Sequence, residues 1–310
     1  MLGEPLKHNV QKFKIPAEEI RAAVAPMIVR DLSDSPEWDG IAEELRLLTK
    51  RRMLKRMTIG RLSKRLRRNP ESMERSYDNY WIGSDFDKML FPQTSGKPMV
   101  WRELRALAMP YAVQRPYHLY LTKIISTLSP QSVVEIGSGN GLNLFVLAGQ
   151  FPQISFSGME LTQGGVIKAQ NTQKLADLPD SLAKFSPYAF RDPAAFKRIV
   201  FSKGSAAHIP FADMSFDMVF TVLALEKMES IRKTALKEIT RVARRWVVLI
   251  EPFRDVNDSG IQRDYCVGND YFRGRIKDLE NDNGLRIIWT TSDIPADLKM
   301  NTAIVVAEKR

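Results

Sequence analysis

With 310 residues, the chain can bury a sizeable core, either as one large domain with additions or as two domains. An apolar fraction of 44% and a charged fraction of 26% exclude whole-chain disorder, and no apolar run is long enough to span a bilayer. The net charge of +10 sits in one place: residues 50–68, KRRMLKRMTIGRLSKRLRR, hold ten Lys or Arg and no acid, and the rest of the chain balances at 36 basic and 36 acidic residues.

The N-terminus, MLGEPLKHNVQKFKIP, lacks the continuous apolar core of a secretory signal. The single cysteine, Cys266, cannot form an internal disulfide, and no Cys/His cluster offers a zinc site. A reducing, cytoplasmic setting and no bound metal are the expectation. Residues 1–129 read as an N-terminal helical extension. Ser35-Pro36 marks a helix start, and the helix runs through Ile41, Leu45, Leu48, Leu54 and Met57. Gly60 weakens it, and Asn69-Pro70 ends any helix beyond that glycine. An aromatic-rich stretch comes next, with Tyr77, Tyr80 and Trp81 and a turn at Ser95-Gly96-Lys97-Pro98. Residues 76–100 read as a lid over a site or as plain packing. A helical pattern from 101 to 128 stops at Ser129-Pro130.

From residue 130 the character changes. SVVEIG, SFSGMEL, RIVFSKG, FDMVFTVL and RWVVLIEP read as strands, with helical patterns near 142–150, 163–176 and 229–243 between them. This alternation predicts an α/β fold, a mostly parallel sheet with helices on both faces. LRIIWTTSD and NTAIVVAEK have no helix between them and predict a closing antiparallel hairpin. Residues 177–197 are an insertion with Phe185, Tyr188 and Phe190, either a wall of an acceptor pocket or a surface elaboration.

The stretch VVEIGSGNGLN places Gly137, Gly139 and Gly141 in the turn from the first strand of the sheet to its helix. Parallel sheets bind ligands at this end, where glycine lets a ligand approach the main chain and helix N–H groups favour an anion. The spacing is G-x-G-x-G, with Leu142 where the dinucleotide fingerprint has its last glycine, which disfavours an NAD oxidoreductase. Glu160, 23 residues after Gly137, can accept hydrogen bonds from both hydroxyls of an adenosine ribose. Glu135, two residues before Gly137, would repel a pyrophosphate and attract a cation. These features together suit S-adenosylmethionine.

Residues 130–310 resemble a class I S-adenosylmethionine-dependent methyltransferase domain, similar to the quinone-biosynthesis branch. VVEIGSGNG resembles the first motif, Met159-Glu160-Leu161 the second, and Gly204 to Met228 the run of Gly-Asp-Ala, Leu-Pro-Phe, Ser-Phe-Asp and Leu-Glu-His. The resemblance implies a Rossmann-like seven-stranded sheet. It implies cofactor contacts from Glu135, Gly137, Ser138, Gly139, Asn140, Gly141, Glu160, Leu161, Ser205, Ala206 and Thr221. Two departures stand out. Ser205 replaces the family's adenine-binding Asp, and Lys227 replaces the His after Leu-Glu.

No residue is marked as the catalytic base. Glu226, Tyr80 and His118 are candidates, and His208 reads as a loop residue beside the adenine. The implied reaction is methyl transfer to a small-molecule, sugar or lipid-linked acceptor. An RNA methyltransferase and a non-catalytic cofactor-binding scaffold are the alternatives. The basic segment 50–68 reads as a solvated helix face, as a peripheral contact with an anionic membrane, or as a nucleic-acid contact; it holds no aromatic for base stacking.

Overall fold

The computed structural model describes residues 12–58, 70–271 and 273–310. In chain order, α1 (Ala17–Val24), β1 (Ile28–Asp31), α2 (Glu37–Thr58), α3 (Pro70–Ile82) and α4 (Phe86–Leu90) precede the hairpin β2 (Lys97–Trp101) and β3 (Leu104–Ala108). After α5 (Arg115–Leu128) come β4 (Ser132–Ile136), α6 (Leu142–Gln150), β5 (Ser155–Glu160), α7 (Gln163–Gln173), α8 (Asp180–Phe185), β6 (Val200–Lys203) and β7 (Phe216–Val222). The chain closes with α9 (Arg232–Val242), β8 (Ala243–Glu251), α10 (Gly260–Asn269), α11 (Ile276–Asn283), β9 (Leu285–Thr291), β10 (Ala296–Asp297) and β11 (Ala303–Lys309).

The main sheet has seven strands in the order β6-β5-β4-β7-β8-β11-β9. Strands β6, β5, β4, β7 and β8 pair in parallel, and β11 runs antiparallel between β8 and β9. The strands are apolar on both faces because both are covered. Val133, Met218, Phe220, Val248, Ile250, Ile304 and Val306 face one core, with α5 and α6. Val134, Val219, Val247, Leu249 and Val305 face the other, with Leu236 and Ile239 of α9. Every side chain of α6 except Asn143 is buried, so it reads as apolar almost all round.

At the amino end of the parallel strands, Asp217 accepts the main-chain N–H groups of Gln131 (2.9 Å) and Ser132 (3.0 Å), and Arg244 donates to it. Ser132 Oγ in turn accepts the Asp217 N–H. These partners hold the Asp217 carboxyl below its ordinary range, although burial pushes the other way.

The N-terminal region is not all helix. Residues 101–108, expected to be helical, form the β2–β3 hairpin; the helix begins at Arg115. The tight turn uses Arg102 at φ 50°, where Asn or Gly is the usual signal. Arg102 stacks on Trp101 at 4.9 Å and pairs with Asp293, which holds the turn. A second sheet has the order β1-β3-β2-β10, so the connection between β9 and β11 is tied back onto the N-terminal hairpin. The insertion packs Phe185 and Phe190 against the α6 side, and Arg115 donates to the Phe185 carbonyl at 2.9 Å. Residues 59–68 of the basic segment lie outside the described residues. No described helix is long and apolar enough to cross a membrane.

Candidate functional site

A cavity of about 1050 Å³ lies at the carboxyl ends of the parallel strands. Ile136 and Gly137 follow β4, Glu160 to Thr162 follow β5, Gly204 to Ala206 follow β6, and Leu223 and Ala224 follow β7. Strand order reverses at β4, which has β5 on one side and β7 on the other, and such a switch point opens a crevice.

The three loop glycines all have positive φ: 81° at Gly137, 53° at Gly139 and 84° at Gly141. Space is as short as torsion. A Cβ on Gly137 would lie 2.6 Å from Ala224 Cβ, and one on Gly139 would lie 2.7 Å from Cζ2 of Trp81. Trp81 belongs to α3, which is clasped over this end of the sheet. Asp78 Oδ1 accepts the Gly164 N–H at 2.6 Å in the first turn of α7, and Glu74 pairs with Lys203 at 3.2 Å. Glu74, Tyr77 and Trp81 line the cavity. α3 is therefore a cover over the loop.

Glu160 ends β5 almost buried, yet it borders the cavity. Its Oε2 accepts the Gly139 N–H at 2.9 Å, and its Oε1 accepts the Thr162 N–H at 3.0 Å and hydroxyl at 2.8 Å. Those contacts fix the carboxylate, and lone pairs remain for hydroxyl donors on the cavity side. Glu135 is sealed beneath the loop and does not border the cavity. Asn143 Nδ2 donates to its Oε1 at 2.6 Å, while its Oε2 has no hydrogen-bond partner among the described residues. Burial pushes its carboxyl up to about 8.

Of the other expected contacts, Leu161, Ser205 and Ala206 border the cavity. Ser205 Oγ accepts the Ala207 N–H at 3.2 Å, which fixes its turn. Ser138, Gly139, Asn140 and Gly141 shape the loop without bordering the cavity, and Thr221 is wholly buried within β7. His118 is wholly buried, packed edge-on to Phe185, and burial pushes its imidazole down to about 3. It is a neutral core residue and no base for the cavity. Tyr80 is half-exposed and shares a hydrogen bond with Tyr111 at 3.2 Å, outside the lining.

The far half of the cavity comes from residues that carry no motif. Arg254, Asn257, Arg263, Cys266, Asp270, Tyr271 and Arg273 approach from the α10 region, and Arg56 and Met57 from the end of α2. Here Lys227 Nζ lies 2.5 Å from Glu226 Oε1 and 2.5 Å from the Tyr271 hydroxyl, over the Tyr271 ring at 3.9 Å. The loop bearing Lys227 is held from behind. Buried Glu251 accepts the N–H groups of Ala224 and Leu225 on Oε1, both at 3.0 Å, and that of Glu226 on Oε2 at 3.2 Å. Leu223, at φ 51°, makes the bend. A branched residue in that region stores strain that the surrounding bonds must hold.

These residues fit S-adenosylmethionine at two points. Glu160 suits the ribose hydroxyls. Ile136, Met159, Ala206, Leu223 and Met228 give an apolar slot for a purine, with Ser205 at its edge. When bound, the cofactor supplies a methyl carbon already made electrophilic by its sulfonium. The protein's part is to orient the acceptor and exclude water.

Residues 134–250 match the family model described as a methyltransferase domain. No curated protein matches the chain. Among solved structures, the cyclase SpnF is similar at 16% identity over 76% of this chain and 95% of that one, with a TM-score of 0.50. A SAM-dependent methyltransferase from Aquifex aeolicus is similar at 16% identity, with 60% and 88% covered and a TM-score of 0.40. The YcgJ protein from Bacillus subtilis is similar at 15% identity, with 61% and 97% covered and a TM-score of 0.41. The glycine loop, the Glu160 carboxylate and the matched segment lie on one seven-stranded sheet, and over residues 134–250 the chain carries a methyltransferase domain.

Proposed function

We propose that the acceptor is a small molecule bearing an anionic group, held in the far half of the cavity. One observation carries this reading: the cavity continues from the Glu160–Ser205 end to Lys227 and Tyr271 under a cover of α2 and α3. Arg254 and Arg263 line that far half, are exposed, and form no ion pair with the described residues. Arg56 and Arg273 share Asp270, at 2.7 Å and 2.5 Å. A phosphate or carboxylate on the acceptor would meet the uncommitted guanidinium groups of Arg254 and Arg263 there. Glu226, Lys227 and Tyr271 form a hydrogen-bonded relay at the same end, and they are the groups placed to take a proton from the acceptor.

The test uses purified full-length protein, methyl-labelled S-adenosylmethionine and a cell extract divided into small molecules, RNA and protein. Label is expected in anionic small molecules, and Lys227→Met should lose it while retaining S-adenosylhomocysteine binding by calorimetry. Label in RNA or protein overturns the acceptor reading.

A further inference from the structure

Helix α2 has two dissimilar faces. The inner one packs on α10: the main chain of Met53 lies 3.2 Å from where a Cβ on Gly268 would stand, Thr49 is buried, and Arg56 pairs with Asp270 at 2.7 Å. The outer one carries Leu47, Leu48 and Leu54 at 44%, 51% and 48% exposure. Residues 47, 51, 54, 55 and 58 fall at i, i+4, i+7, i+8 and i+11, a single stripe along the helix. Lys50, Arg51 and Lys55 flank the leucines; all three are exposed and form no ion pair with the described residues. From Leu47 to Thr58 the helix has no acid.

Isolated leucines on a protein surface need no explanation, and neither does a stretch of mixed charge. Leu47 and Leu54 set among cations of one sign, on one stripe with exposed Leu48 beside it, are different. That pattern has a specific complement: an interface with negative headgroups above and acyl chains below. The same helix also reaches the site. Arg56 and Met57 line the cavity, and Met57 is 46% exposed, so the rim of the cavity lies within one turn of the leucine stripe.

We infer that the outer face of α2 docks the protein on an anionic lipid bilayer, with the mouth of the cavity beside the lipid surface. The docking stands on the helix itself. The statement that an acceptor enters from the lipid surface rests on the acceptor reading above.

Sedimentation of full-length protein with phosphatidylcholine vesicles containing about a third phosphatidylserine tests it. Binding is expected, and it should fall as salt rises, because the charge contribution is screened within a Debye length. The triple change Lys50→Gln, Arg51→Gln, Lys55→Gln should weaken it about a hundredfold, at about fivefold per charge. Leu47→Gln, Leu48→Gln, Leu54→Gln should weaken it at least about tenfold at unchanged charge. Both variants should bind S-adenosylhomocysteine as the wild type does, which also reports that they fold. No binding to anionic vesicles overturns the inference. So does full binding by the leucine variant, which would leave a cationic patch without insertion, or displacement by structured RNA at physiological salt. Failure of S-adenosylhomocysteine binding in the wild type would instead remove the cofactor assignment and leave the vesicle result standing.

Discussion

Replacing Glu135 by Gln removes one buried ionisable proton and keeps the acceptor that Asn143 Nδ2 meets at 2.6 Å. Burial raises this carboxyl from 4.5 to about 8. At neutral pH the folded protein therefore holds the proton and the unfolded chain releases it. The stability linked to that proton is fully present below the unfolded value and is lost as pH rises through the folded one. The slope is about 1.4 kcal/mol per pH unit, so Glu135 costs the wild type about 3.5 kcal/mol between about pH 5 and pH 8. Glu251, wholly buried and likewise raised to about 8 by burial, adds a second loss of similar size. Glu135→Gln should therefore remove about half of the alkaline decline attributable to these two groups. Urea unfolding followed by circular dichroism over that range measures it. Equal declines in the two proteins would refute the reasoning, because a carboxylate already ionised in the folded state contributes no such slope.

The glycine loop supports two more expected outcomes. Glu160→Ala should weaken S-adenosylhomocysteine by about 1.5–3 kcal/mol, read by calorimetry, because a charged acceptor for hydroxyl donors is lost. Gly139→Ala places a methyl 2.7 Å from the Trp81 indole at φ 53°, so it should destabilise the protein by about 1–3 kcal/mol and change Trp81 fluorescence. Adding Trp81→Ala should recover the steric part and leave the torsional part, and a double-mutant cycle that is strictly additive would show that the contact is not made.

The parallel sheet was legible because each strand is a short Val/Ile-rich run bounded by turn residues, and Gly137, Gly139 and Gly141 mark a local need of the backbone for positive φ. The hairpin at 97–108 was not legible, because its turn is Arg102-Glu103 and gives no Asn-Gly signal; tertiary partners, Trp101 and Asp293, hold it instead. The far half of the cavity was hidden for another reason. Arg254, Arg263 and Tyr271 belong to a stretch without chemical spacing, and packing of α10 on α2 gives them a common wall. Lys227 was visible only as a departure from a family pattern, and its partner Tyr271 is 44 residues away. His118 shows the opposite limit: a histidine is noticed in any sequence, while its burial is known only from the fold.

The Asp217 staple ties two strand starts together at the end of the sheet opposite the cavity. The cavity end gathers the unfavourable elements: positive-φ glycines, a bent Leu223, and carboxyls deprived of water. Robustness and selectivity are thus lodged at different poles of one molecule. An engineer seeking heat tolerance can work around Asp217, Ser132 and Arg244 with the cavity untouched, and one reshaping the cavity can rebuild the wall from 254 to 273 while the far pole keeps the chain folded.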